Sequence, residues 1–130
     1  MTKTKTNKTG KALSAFLSRV AGEKLAKDIM VLEMINIDTA PVDYFVICTC
    51  ESEPQLKAVV DSIEEACVQT GIKRPRVEGY GTSHWVLLDF FDVVMHLMMP
   101  DARSFYKIEK LWSDAVFYEL SDKGRLKKLK

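Results

Sequence analysis

Three sets of residues in this chain have the types from which reactive sites are built. Gly81-Thr82-Ser83, followed by Asp89 and Asp92, could supply the glycine-serine turn and carboxylate pair that hold metal ions in nucleotidyltransferases. Two carboxylates that share a strand face sit two residues apart, whereas Asp89 and Asp92 sit three apart across a turn signal. Their simpler role is to bond turn N–H groups. Ser83 and His84 are a nucleophile and a base in type, but neighbours on an extended chain face apart, and no GxSxG elbow is present. Cys48, Cys50, Cys67, His84 and His96 are metal-ligand types. No zinc-finger spacing links them, and Cys48 and Cys50 are read as facing apart on a strand. No Walker or GxGxxG glycine cradle occurs. The reading is therefore of a protein with no catalytic residues, no metal and no cofactor.

The elements that would position these residues follow from hydrophobic spacing. Leu13, Phe16, Leu17, Val20 and Ala21 recur at helical intervals within residues 11–27, with Gly22 as an interruption. Residues 29–34 form an apolar run of strand length. Residues 44–49, Tyr-Phe-Val-Ile-Cys-Thr, read as a strand buried on both faces. Ser52-Glu53-Pro54-Gln55 has capping-box form, and Leu56, Val59, Val60, Ile63 and Cys67 then give a helical stripe that closes at Gly71. Residues 72–79 suit a short edge strand. Residues 85–89 and 93–98 suit an antiparallel hairpin turned by Asp89-Phe90-Phe91-Asp92. A further helical stretch begins at Pro100-Asp101 and runs to Trp112. This order predicts one α/β (α+β) domain with a mixed five-stranded sheet flanked by helices.

A chain of 130 residues with 47% hydrophobic and 28% charged residues can bury a core without disulfide or metal staples. No apolar run approaches the ~20 residues of a membrane span. Three cysteines in no framework spacing point to a reducing compartment, so the expected location is cytoplasmic. The net charge of +1 conceals an asymmetry. Residues 1–11 carry four lysines and no acid, and residues 121–130 carry five basic residues against Asp122. The span between them holds ten basic and seventeen acidic residues. Such a body suits a basic protein partner better than a phosphate backbone. Residues 1–10 read as a disordered basic tail, residues 11–120 as the folded domain, and residues 121–130 as a second basic tail. The tails could contact RNA, or serve only as solvated ends.

What remains unexplained by chemistry is a concentration of aromatic residues beside acids: Tyr80, Trp85, Phe90, Phe91, Phe105, Tyr106 and Trp112. Exposed aromatics on a rigid sheet make interface anchors. At these residues the sequence resembles the ribosomal silencing factor, or Iojap-like, family. The pieces that carry the resemblance lie in order from residue 12 to 115. They include Asp28-Ile29-Met30-Val31-Leu32, Asp43-Tyr44-Phe45-Val46-Ile47 and Trp85-Val86-Leu87-Leu88-Asp89. They continue with Asp92-Val93-Val94-Met95-His96, Arg103-Ser104-Phe105-Tyr106 and Leu111-Trp112.

The resemblance implies a nucleotidyltransferase-like topology without that fold's catalytic residues, in a protein that is a homodimer when free. It implies a translational repressor that binds the large ribosomal subunit through a ribosomal protein at the intersubunit face. Occupying that face would block the small subunit and slow translation under nutrient limitation. Carried over by position, the partner-binding residues are Trp85, Asp89, Val94, His96, Met98, Arg103 and Tyr106. The rival readings are a metal-dependent nucleotidyltransferase-like enzyme and a homodimeric scaffold with another protein partner. The chain departs from the family pattern at Cys50, Pro54, Phe91 and Met98. Phe91 stands where the family turn has Gly. A Phe at positive φ would cost ~1 kcal/mol or more, so either the turn changes type or Phe91 is placed for another reason.

Overall fold

A computed structural model describes residues 9–79 and 84–129. Its elements are α1 (Gly10–Glu23), β1 (Lys27–Glu33), β2 (Tyr44–Thr49), α2 (Glu53–Thr70), β3 (Arg76–Glu78), β4 (Trp85–Asp89) and β5 (Val93–Met98). They are followed by α3 (Pro100–Tyr106), α4 (Ile108–Leu111), β6 (Val116–Leu120) and β7 (Leu126–Lys128). All seven strands join one sheet in the order β3-β4-β5-β2-β1-β6-β7. The β2–β5 pair is parallel and the other pairs are antiparallel, so the sheet is mixed.

The sheet has seven strands where five were expected. The two extra strands follow the last helix. Val116-Phe117-Tyr118 has strand-forming residue types, and β6 pairs with β1 and seats Tyr118 in the core. β7 has no apolar alternation; a turn places it. The Ser121 hydroxyl accepts from the N–H groups of Lys123 and Arg125, and Gly124 takes φ 76°. Part of the stretch read as a C-terminal tail thus lies on the sheet edge. The N-terminal tail falls mostly outside the described residues, as do Tyr80 and the Gly81-Thr82-Ser83 turn.

Alternation along the strands divides the core into two layers. On one face α1 and α2 pack Leu17, Ala21, Val59 and Ile63 against Val31, Val46, Val86 and Leu97. On the other, α3 and α4 contribute Ala102 and Ile108 to a smaller cluster with Leu32, Phe45, Ile47 and Met98. β2 is buried along its whole length, because helices cover both of its faces. α2 starts as its sequence predicts: the Ser52 hydroxyl accepts from the N–H of Gln55 at 3.2 Å. The Gln55 side chain returns the bond to the N–H of Glu51 at 2.6 Å, one residue earlier than in a standard capping box. The predicted single helix after Pro100 is two short ones, because Lys107 takes φ 48° between α3 and α4.

Candidate functional site

The β4–β5 hairpin is in register with Trp85 opposite Met98, Leu87 opposite His96 and Asp89 opposite Val94. These pairs put Trp85, Leu87, Asp89, Val94, His96 and Met98 on one face, the face that α3 and α4 only partly cover. Depth separates them. Met98 and His96 are buried, whereas Trp85, Leu87, Asp89 and Val94 are half-buried. Tyr106, on α3, is exposed and its ring lies 4.6 Å from that of Trp85. Phe105 meets Tyr106 edge to face at 4.9 Å and is 78% exposed. The rings form an aromatic ridge beside a hollow of about 440 Å³ lined by Glu78, His84, Trp85, Leu87, Ala102 and Tyr106.

His96 supports this ridge from below. The Trp85 indole N–H donates to His96 Nδ1 at 3.0 Å. Phe45 meets the imidazole edge to face at 4.4 Å. An indole N–H can only donate, so Nδ1 must accept, and the imidazole proton sits on Nε2. Among the described residues Nε2 has no hydrogen-bond partner. Burial pushes the His96 pKa down to about 4.

Arg103 is likewise mostly internal. Its Nη1 donates to the Thr49 hydroxyl at 2.8 Å, and its Nε lies 3.4 Å from both Glu109 carboxylate oxygens. With its side chain only 11% exposed, it ties α3 to the end of β2 and to α4. Of the seven residues named from sequence, Trp85, Asp89, Val94 and Tyr106 present accessible surface on or beside one face; His96, Met98 and Arg103 lie at or under its floor. Leu87, Phe105 and His84 complete the surface and were not singled out as contacts. Leu87 was available by strand alternation, being two residues from Trp85. His84 Nδ1 lies 2.8 Å from the Asp101 carboxylate and holds its pKa below the usual value, linking the start of β4 to α3. That link depends on the tertiary fold.

The chemical candidates occupy other roles. The Asp89 carboxylate accepts the Phe91 N–H at 2.8 Å, and the Asp92 carboxylate accepts the Gly10 N–H at 3.3 Å. Asp89 therefore organises the turn, and Asp92 ties the turn to the start of α1. Cys48 and Cys50 correct an expectation: two residues apart in extended chain, they face the same way. Their thiols are buried and hydrogen-bonded to each other, which with burial raises the Cys48 pKa. Among the described residues no group of three or more His, Cys, Asp or Glu side chains is placed to hold a metal ion. Among them, too, no helix is long and apolar enough to cross a membrane.

A mixed seven-stranded sheet, helices on both faces and an aromatic ridge on one of them define an α+β domain of a recognisable kind. A family model described as "Ribosomal silencing factor during starvation" matches residues 6–130. The chain is 36% identical over 110 residues to the ribosomal silencing factor RsfS of Bacillus subtilis, covering 85% of this chain and 92% of that one. It is 39% identical over 98 residues to RsfS of Halalkalibacterium halodurans, covering 75% and 83%. The chain belongs to the ribosomal silencing factor family. A mouse relative, named mitochondrial assembly of ribosomal large subunit protein 1, is 32% identical over 91 residues; the match spans 68% of this chain and 40% of the mouse protein. A crystal structure of a Chromobacterium violaceum protein superposes with a TM-score of 0.72 at 29% identity, covering 81% of this chain and 88% of that one.

Proposed function

We propose that this protein represses translation by binding the large ribosomal subunit, through a ribosomal protein at the intersubunit face, and keeping the small subunit away. The observation that carries the reading is the ridge formed by Trp85 of β4 with Tyr106 and Phe105 of α3. Half-buried and exposed rings with fixed neighbours lose little freedom on binding, which makes them strong anchors. The acidic body suits a basic partner such as a ribosomal protein. The name of the mouse relative associates that protein with the large subunit. On this reading Trp85 is the anchor, Tyr106 and Phe105 extend it, and Asp89 and Val94 line the adjoining face. His96, Met98 and Arg103 hold the surface from beneath. The free protein is a cytoplasmic homodimer, the basic ends touch ribosomal RNA, and no cofactor or catalytic step is involved. A relation to the nucleotidyltransferase fold fits a mixed sheet with helices on both faces.

The test is co-sedimentation of the purified protein with isolated large and small subunits at modest salt. The reading expects the protein to travel with large subunits only. Failure to travel with them at any salt removes it.

A further inference from the structure

The opposite end of the β4–β5 hairpin carries a second surface. Trp85 opens β4 and Asp89 closes it, so the turn lies about 13 Å along the strand from the aromatic ridge. At its tip Phe91 has φ 83°, a backbone region that glycine adopts freely and a phenyl-bearing residue rarely does. The Asp89 carboxylate braces that conformation by taking the Phe91 N–H. The ring is not placed there to fill the core, since Phe91 is 90% exposed. Beneath it, half-buried Phe90 packs on the main core.

Cations surround the ring. Lys73, Arg74 and Arg76 line a hollow of about 250 Å³ together with Asp89, Phe90 and Phe91. Lys73 also lines a second hollow, of about 350 Å³, on another side of Phe91 with Ile72 and Asp92. All three basic side chains belong to exposed residues. Arg76 pairs with Glu78 at 2.9 Å, a surface contact that solvent weakens, while Lys73 and Arg74 enter no ion pair among the described residues. The nearby acids each hold a fixed partner, Asp89 the Phe91 N–H, Asp92 the Gly10 N–H and Glu78 the Arg76 guanidinium, but Asp89 and Asp92 keep their charge, so Lys73 and Arg74 on the open side are the cations a phosphate would meet. An exposed ring flanked by Lys73 and Arg74, which enter no ion pair among the described residues, is the pattern of single-stranded nucleic-acid contacts, where bases stack and phosphates meet Lys and Arg.

We propose that this tip is a single-stranded RNA contact. One base stacks on Phe91, and the adjoining phosphates lie against Lys73 and Arg74, with Arg76 exchanging Glu78 for phosphate. The site borders the face beside the aromatic ridge at Asp89, but its ring and cations lie outside that face and do not depend on what the ridge binds.

Fluorescence anisotropy of the full chain with a labelled ten-nucleotide oligouridine, titrated between 20 and 200 mM salt, tests it. Phe91→Gly relieves the backbone strain and keeps the fold, so its effect reads stacking alone. It should weaken binding about fivefold or more. The Lys73→Ala/Arg74→Ala pair should weaken it further and flatten the salt dependence by roughly 1.4 in log–log slope. Absence of binding by the unaltered protein at 20 mM salt overturns the proposal. So does binding that ignores Phe91→Gly but is lost in Lys127→Ala/Lys128→Ala, which would place the RNA on β7. If Phe91→Gly spares RNA binding but loosens the complex with large-subunit protein, the tip belongs to a protein interface and the proposal likewise falls.

Discussion

The indole N–H of Trp85 points at Nδ1 of His96, 3.0 Å away, and that bond fixes the histidine in its neutral form. Protonating His96 would turn Nδ1 into a donor facing a donor and place a charge where the residue is only 5% exposed.

A pH dependence follows. The His96 pKa is about 4 in the folded protein against about 6.5 when unfolded. A depressed histidine pKa means the unfolded chain takes up the proton first. The stability from neutral His96 is fully present above pH ~6.5 and declines as pH falls from there towards 4. The whole loss is on the order of 3 kcal/mol. Carboxylates titrate in part of this window, so urea unfolding of the protein and of His96→Asn should be compared at pH 4.5 and 7.5. The difference between the two proteins should shrink at the lower pH. Parallel curves would show that His96 does not carry the effect.

Trp85→Phe separates the two jobs of the indole. It keeps a ring beside Tyr106 but removes the donor to His96, leaving a buried acceptor unpaired. A loss of ~1–3 kcal/mol in stability is expected by chemical denaturation. Affinity for the large subunit should fall less than in Trp85→Ala, because part of the ring contact remains. Equal affinities in the two variants would mean the ring itself is not the anchor.

Much of this face was legible in the sequence, because strand alternation is a local rule. Once residues 85–89 and 93–98 pair around a turn, Trp85, Asp89, Val94, His96 and Met98 must share a face. Their depth is a different matter. It depends on where α3 and α4 land, which is why Met98 and His96, named as contacts by the family resemblance, lie in the floor of this face. The placement of Arg103, also named by the resemblance, is tertiary too: its guanidinium is drawn inward by Thr49, 54 positions earlier. Strand β6 carried a signal in Val116-Phe117-Tyr118, whereas β7 was missed for a third reason. β7 is too short and too charged for any periodicity, and only the turn at Gly124 sets its pairing.

Phe91→Gly should make the protein more stable. The turn needs φ 83° at this position, and a side chain there is strained by ~1–2 kcal/mol, partly offset by the greater freedom glycine loses on folding. A net gain of ~0.5–1 kcal/mol in urea unfolding is expected. Destabilisation would mean that the phenyl makes a contact worth more than its strain.

Arg103→Ala removes the donor to Thr49 and the partner of Glu109, which is itself only 25% exposed. It should cost ~1.5–3 kcal/mol, the range for hydrogen bonds to a charged group. Arg103→Lys should restore little, since an ammonium cannot reach two partners with a planar fork. A full rescue by lysine would reduce the role of Arg103 to charge alone.

If the Trp85 ridge seats the protein on the surface the small subunit needs, subunit joining reads it directly. Isolated subunits can be mixed with the protein and resolved on a sucrose gradient at a magnesium concentration that otherwise allows joining. Free subunits are expected in its presence. Joined ribosomes should reappear with Trp85→Ala, whose affinity should fall by ~2 kcal/mol or more. Undiminished joining at saturating protein, or blockage by a folded Trp85→Ala equal to that of the unaltered chain, would contradict it.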